Sequence, residues 1–251
     1  MHTSISASHW GSPTASRRAL LIHGLTMSSQ SWEGIAQLLV AKGFFVVAPN
    51  LLGHAWRRGT NYSMSALAED LRPYFVMDTS YDVIMGHSLG GIVTLSLLPF
   101  LPKAKETTVI LLDPTLELTE ETFEIHRKWF GKEVTNVRTA NEHMAENPAW
   151  SRGDSVLRAL GAHMCDRTVV ERIFEHNKPW SFSSLLKHIP SHVKTTILAS
   201  DPAFGAVCHL EHVPCDVARL NTKVFIGIGH WIQYECLDVI MDEIPLPRAR
   251  L

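Results

Sequence analysis

The segment Asp82–Gly91, D-V-I-M-G-H-S-L-G-G, constrains the fold of this chain more than any other stretch. It opens with a short apolar run that is typical of a buried strand, and the apolar run that begins at Ile92 is long enough for a buried helix. Between them, Gly86–Gly90 matches the pattern G-x-S-x-G. A strand, a tight turn and a helix in this order predict that the Ser88 hydroxyl projects from the carboxyl end of a strand, beside helix N-terminal amides.

Short apolar runs and helical patterns alternate through most of the chain. Strands are predicted at residues 5–10, 18–24, 44–48, 83–85, 108–114, 194–201 and 223–228. Helices are predicted at residues 30–42, 63–77, 92–98, 213–220 and 232–244. Such alternation with short connections predicts an α/β fold, with a mostly parallel sheet flanked by helices.

The alternation is interrupted between residues 115 and 180, where the sequence contains no convincing strand. Short amphipathic helices are predicted there at residues 120–130, 137–146, 155–164 and 168–176. We therefore expect a core formed by residues 1–114 and 181–251, with residues 115–180 inserted as a helical cap over the sheet edge.

Composition excludes several classes of function. The formal charge is −2, from 23 basic and 25 acidic side chains, so no strongly basic face for nucleic acid is expected. No apolar run approaches about 18 residues, and no membrane span is predicted. Neither the 14 histidines nor the 4 cysteines have a metal-ligand spacing, so we expect no metal and no cofactor. The sequence leaves the oligomeric state open.

The two ends of the chain bear on its location. The N-terminus lacks the basic-then-apolar layout of a secretory signal, which favours the cytoplasm. The last residues, Ala249-Arg250-Leu251, resemble the peroxisomal address related to S-K-L. We therefore expect a cytoplasmic protein, or a peroxisomal one if the source is a eukaryote.

A serine nucleophile needs a base to accept its proton and an acid to orient that base. His230 follows the last predicted strand, within Gly227–Trp231, and is the candidate base. Asp113 and Asp201 each follow a strand, and both satisfy the order serine, acid, histidine. We favour Asp201, because its strand immediately precedes that of His230, and we keep Asp113 as the alternative.

Acyl transfer also needs hydrogen-bond donors for the developing oxyanion. The backbone amide of Leu89, directly after Ser88, is one candidate. The second is the amide of Leu25, which follows the strand that ends at His23-Gly24.

These motifs resemble those of the α/β-hydrolase fold family, and in particular its single-domain members with a helical cap. His23–Thr26 is similar to the oxyanion loop, Gly86–Gly91 to the nucleophile elbow, and Gly229–Trp231 to the histidine loop. The resemblance implies a serine hydrolase that acts through an acyl-enzyme on Ser88. Its implied substrates are carboxylic esters, thioesters or lactones, because members that cleave epoxides or haloalkanes carry Asp in place of this serine.

The substrate pocket is expected between the cap and the sheet edge. The predicted lining residues, in addition to Leu25 and Leu89, are Met27, Trp129, Trp150, Trp180 and Trp231. This apolar lining favours a medium-sized, mostly apolar small molecule as the partner. A ligand-binding or receptor protein, a lyase or cyclase, and a hydrolase of carbon–carbon bonds remain alternatives on the same scaffold.

Overall fold

A computed structural model describes residues 6–245, apart from the side chains of residues 76–78. Seven strands form one sheet in the order β1-β3-β2-β4-β5-β6-β7. Every neighbouring pair is parallel except β1 and β3. The strands are β1 (Ala7–Trp10), β2 (Arg17–Ile22), β3 (Phe44–Pro49), β4 (Val83–His87), β5 (Thr107–Leu112), β6 (Val193–Ala199) and β7 (Leu220–Val224). The tripeptide Ala249-Arg250-Leu251 lies outside the described residues.

Helices cover both faces of this sheet. They are α1 (Glu33–Ala41), α2 (Met64–Leu71), α3 (Leu89–Leu97), α4 (Glu120–Thr135), α5 (Ala140–Glu146), α6 (Arg152–His163), α7 (Arg167–His176), α8 (Ile232–Glu235) and α9 (Leu237–Asp242). The strands β4 and β5 are buried along their whole length, as expected where helices cover a parallel sheet on both sides. The predicted fold class is confirmed.

The four helices α4–α7 all lie between β5 and β6 in the chain. Each begins at a residue whose side chain accepts a backbone N–H of the first turn: Thr119, Thr139, Ser151 and Asp166. Such capping satisfies donors that a short helix would otherwise leave unpaired. We call residues 115–180 the cap. Its four predicted helices are present within a few residues of the expected bounds.

The segment between β6 and β7 differs from the prediction. No helix forms at residues 213–220; instead Pro202–Phe204 and Leu210–His212 form short 3-10 turns, and β7 begins at Leu220. Arg219, inside the predicted helix, has a φ of 68°, a left-handed backbone conformation that an α-helix does not contain. The last predicted helix is divided at Cys236, whose backbone is not helical, into α8 and α9.

None of the helices within residues 6–245 has the length and apolar character required to cross a membrane.

Candidate active site

Ser88 occupies the turn between β4 and α3. Its backbone has φ 53° and ψ −119°, a left-handed conformation that costs an L-residue about 1–3 kcal/mol. The turn is this tight because glycines permit close approach on both sides. A Cβ on Gly86 would lie 2.4 Å from the carbonyl oxygen of Gly90, and a Cβ on Gly90 would lie 2.2 Å from that of Ile22. Local sterics therefore fix Ser88 at the carboxyl end of β4.

The loop that carries His230 follows β7 and is held at several backbone groups. The amide of Gly229 donates to Glu235 Oε2 (2.9 Å), and the Ser200 hydroxyl donates to the Gly229 carbonyl (2.7 Å). His87 donates from Nε2 to the carbonyl oxygen of His230 (3.0 Å). Burial and the nearby charge of His230 hold the pKa of His87 well below its ordinary value, so His87 stays neutral in this role. These contacts hold the backbone around His230 in place.

Asp113 is the carboxylate that meets His230. His230 Nδ1 lies 2.6 Å from Asp113 Oδ2, and Asp113 is fully buried. The amides of Ser200 and Cys208 donate to Oδ1, and the amide of Val207 donates to Oδ2. Burial alone raises the pKa of this carboxyl, but the hydrogen bond and charge of His230, together with the backbone amides, outweigh it and hold the pKa below the ordinary value.

The preference for Asp201 as the partner of His230 is therefore corrected. Asp201 accepts hydrogen bonds from the amides of Ala203 (2.9 Å) and Gly227 (2.8 Å). The backbone N–H groups of Gly227 and Ala203 lower the pKa of Asp201. Its carboxylate closes the turn after β6 and braces the loop after β7. Closeness along the chain was the wrong criterion, because β5 lies beside β4 in the sheet and delivers Asp113 to the same edge.

Ser88 and His230 line one cavity of about 690 Å³ between the cap and the carboxyl ends of the strands. In the described structure Ser88 Oγ hydrogen-bonds to Thr115 Oγ1 (3.3 Å), and no bond to His230 is formed. Leu25 and Leu89 also line the cavity. Among the described residues, neither of their amides donates to another protein group.

Three of the predicted pocket tryptophans, Trp129, Trp180 and Trp231, line this cavity. Two other predicted lining residues do not. Met27 is fully buried beneath α6, and Trp150 packs edge-on against Trp231 and Tyr234. The sequence reasoning missed further lining side chains, most of them on the cap: Thr115, Leu118, Ile125, His126, Phe130, Glu146, Phe174, Phe204, Val207 and Glu235.

Two buried histidines support the loop that contains Leu25. His54 Nε2 accepts the amide of Thr26 (3.1 Å), and its Nδ1 donates to the carbonyl of Leu52 (3.2 Å). His23 Nε2 accepts the amide of Leu51, and its Nδ1 donates to Gly24 O. Because each ring uses one nitrogen as an acceptor, both must be neutral. Burial lowers the pKa of His54 to about 4, and burial together with the nearby His54 holds the pKa of His23 well below its ordinary value.

We expect the free energy of unfolding to fall as the pH is lowered from about 6.5 towards 4. Between these pH values the two histidines bind protons in the unfolded chain but stay neutral in the folded protein. Their contribution to the unfolding free energy is therefore complete above the unfolded pKa and is lost as the pH falls towards the folded pKa. His54 alone contributes on the order of 3 kcal/mol. Urea unfolding at several pH values measures this loss. His54→Gln should flatten the dependence, and replacement of the exposed His188 by Gln is the matched control. If the unfolding free energy depends equally on pH in the two variants, His54 is not the buried neutral histidine that causes the loss.

No cluster of three or more His, Cys, Asp or Glu side chains that could hold a metal ion occurs in the described part of the chain.

Residues 19–242 match the sequence profile of the alpha/beta hydrolase family, and the chain therefore belongs to that family. It is 36% identical over 95 residues to the uncharacterized protein Rv2715 of Mycobacterium tuberculosis (strain ATCC 25618 / H37Rv), covering 37% of this chain and 28% of that protein. It is 33% identical over 116 residues to Lipase LipV of the same organism, covering 42% and 40%. The matched segments thus span less than half of either relative.

Among solved structures, the esterase EaEST from Exiguobacterium antarcticum has the same fold. The TM-score is 0.75 at 13% sequence identity, with 96% of this chain and 95% of that chain covered.

Proposed function

We propose that this protein is a serine hydrolase of carboxylic esters, in which Ser88 is the nucleophile, His230 the base and Asp113 the orienting acid. The observation that carries the proposal is the hydrogen bond of 2.6 Å between His230 Nδ1 and buried Asp113, because His230 lines the same cavity as Ser88. The bond occupies Nδ1 and leaves Nε2 of His230 free to accept a proton. The sequence similarity to a protein named as a lipase supports the same class of reaction.

The proposed reaction begins with rotation of the Ser88 hydroxyl from Thr115 towards Nε2 of His230, a tightening expected when substrate binds. Ser88 Oγ attacks the ester carbonyl while His230 takes its proton, and Asp113 stabilises the resulting imidazolium. The amides of Leu89 and Leu25 donate to the oxyanion. His230 then protonates the leaving alcohol, and a water molecule activated by His230 hydrolyses the acyl-enzyme.

The cavity lining favours an uncharged substrate. Its ionisable side chains are Glu146, Glu235, His126 and His230, and within the described residues it includes no Lys or Arg. Burial lowers the pKa of His126, so that ring adds no positive charge at neutral pH. Four aromatic side chains of the cap also line the cavity: Trp129, Phe130, Phe174 and Trp180. A volume of about 690 Å³ suits a medium-sized apolar ester.

A matched pair of p-nitrophenyl esters tests both the reaction and this selectivity. The pentanoate and the hemiglutarate have acyl chains of equal length, but the second ends in a carboxylate. We expect hydrolysis of the pentanoate, with kcat/KM at least about tenfold lower for the hemiglutarate, because the pocket offers no cation to a buried anion. Faster hydrolysis of the hemiglutarate would contradict the substrate class, and no turnover of any chain length would contradict the ester hydrolase.

A further inference from the structure

The buried ion pair between Arg158 and Glu133 joins two helices of the cap and lies against the loop after β2. Arg158, on α6, is completely buried, and the side chain of Glu133, at the end of α4, is 3% exposed. Arg158 Nη2 contacts Glu133 Oε1. Burial of two charges is expensive, and an apolar pair of similar volume is often at least as stable. The pair therefore calls for an explanation beyond stability, and its remaining contacts provide one.

Those contacts converge on Thr26, the residue after Leu25. Arg158 Nη1 donates to the Thr26 carbonyl (2.9 Å), and Nη2 donates to the Thr26 hydroxyl (3.0 Å). The hydroxyl lies 2.9 Å from Glu133 Oε2. Thr26 has a φ of 58°, a conformation that a β-branched residue adopts only under strain and only where its surroundings impose it. The cap thus holds the peptide that follows the proposed oxyanion donor in an unfavourable backbone conformation.

Arg158 also reaches the second catalytic loop. Its guanidinium carbon lies 4.7 Å from the centre of the Trp231 ring, a cation–π distance. The Trp231 ring contacts those of His230 and His87, with centroids 5.3 Å apart in each case. One cap side chain therefore contacts both the loop of Leu25 and the loop of His230, which come from opposite ends of the sequence.

The cap helix itself is seated closely on the same loop. A Cβ on Gly161, one turn beyond Arg158, would lie 2.9 Å from Met27 Cα and 3.0 Å from the Thr26 carbonyl oxygen. Any movement of α6 away from the core would break this contact and both Arg158 hydrogen bonds to Thr26. This close packing indicates that α6 holds the loop after β2 in a fixed position.

We infer that Arg158, held by Glu133, is a positioning residue that sets the Leu25 amide and the His230 loop in the geometry of the transition state. The inference rests on the proposed function, since it assigns a role relative to the proposed oxyanion donor and base. Neither side chain lines the cavity, so both act through Thr26 and Trp231 and do not touch the substrate.

Arg158→Lys is the variant that separates positioning from charge. Lysine keeps a positive charge for Glu133 but loses the planar fork that binds Thr26 at two points and stacks on Trp231. We expect kcat for the p-nitrophenyl ester to fall about tenfold or more while KM stays within about threefold, because misaligned oxyanion donors act on the transition state alone. Affinity for an alkyl boronic acid, which forms a tetrahedral adduct with serine, should fall in parallel with kcat, and affinity for the planar carboxylic acid product should not.

Arg127→Lys is the matched control, because Arg127 forms an ion pair with Glu124 on the outer surface of the same helix α4 as Glu133. It should match the wild type in every readout. If Arg158→Lys does not fold, Glu133→Gln takes its place; it keeps hydrogen-bonding atoms for Arg158 and Thr26 and should show the same pattern with a smaller decrease in kcat.

The other outcomes are decisive as well. A folded Arg158→Lys protein with unchanged kcat, or with equal losses of boronic acid and product affinity, overturns the positioning role and leaves the hydrolase intact. A wild type that neither turns over esters nor binds the boronic acid overturns both proposals.

Discussion

Ser88→Ala is expected to abolish ester hydrolysis and to prevent labelling by a fluorophosphonate probe. The variant removes the proposed nucleophile but leaves the cavity, the His230–Asp113 pair and both backbone donors in place. We expect kcat to fall about 10⁴-fold or more. The activity that remains would come from substrate binding and the oxyanion donors. Peptide mass spectrometry of the labelled wild type should find the probe on Ser88. Ester turnover and gel fluorescence measure the two losses.

Ser96→Ala is the control for this prediction. Ser96 lies on the same helix α3, where its hydroxyl donates to the carbonyl of Ile92, away from the cavity lining. It should be labelled and should turn over ester like the wild type. A wild type that turns over ester without reacting with the probe, or a Ser88→Ala protein that keeps its activity, would contradict Ser88 as the nucleophile.

The parts of the site that the sequence predicted are those that depend on neighbouring residues. The turn at Ser88 follows from glycines two residues away on either side, whose missing side chains are a local steric requirement. The strand before Ser88 follows from a short apolar run that ends at glycine. The strand before His230 was predicted at residues 223–228 but lies at Leu220–Val224, where apolar and polar residues are mixed. The buried parallel sheet follows from the short apolar runs, because they alternate with helical patterns.

The parts that the sequence did not predict depend on contacts between distant segments. The partner of His230 was misassigned because Asp113 and Asp201 have equivalent places after their strands. Only the fold shows that Asp113 contacts His230 and that Asp201 accepts the amides of Ala203 and Gly227. Trp150 was predicted to line the pocket but packs in the cap, because the sequence pattern does not distinguish a tryptophan that packs from one that lines a pocket. Arg158 and Glu133 are 25 positions apart, on helices whose mutual packing no periodicity reveals.

The histidine-rich composition has a similar explanation. His23, His54 and His87 were not assigned a role by any motif of their own. His23 and His54 each use both ring nitrogens, and His87 uses Nε2 and its ring face, to hold loops of the candidate site. A neutral imidazole can donate at one nitrogen and accept at the other, which suits it to buried loops with unpaired backbone groups. A pattern search for metal or catalytic spacing does not detect this use.

Asp113→Asn is expected to lower kcat by about 10³- to 10⁴-fold, whereas Asp201→Asn should change it by less than about threefold. The amide oxygen of the introduced asparagine can keep the bonds from Ser200 and Cys208, but its NH₂ group then faces the Val207 amide and His230 Nδ1. Donation of that NH₂ to Nδ1 moves the imidazole proton to Nε2, the nitrogen that must accept the serine proton. The clash with Val207 also predicts a loss of about 1–3 kcal/mol in unfolding free energy.

Asp201→Asn is the matched comparison, because Asp201 also follows a strand at the same sheet edge and also accepts backbone amides. The amide oxygen that replaces its carboxylate can keep one of the two bonds, so unfolding free energy should fall less than in Asp113→Asn, with the catalytic pair untouched. Steady-state kinetics and urea unfolding of both variants separate a role in catalysis from a role in stability. Only in Asp113→Asn should kcat fall far more than the decrease in the fraction of folded protein can explain. The opposite result, with the large decrease in kcat at Asp201, would mean that His230 exchanges its partner during catalysis.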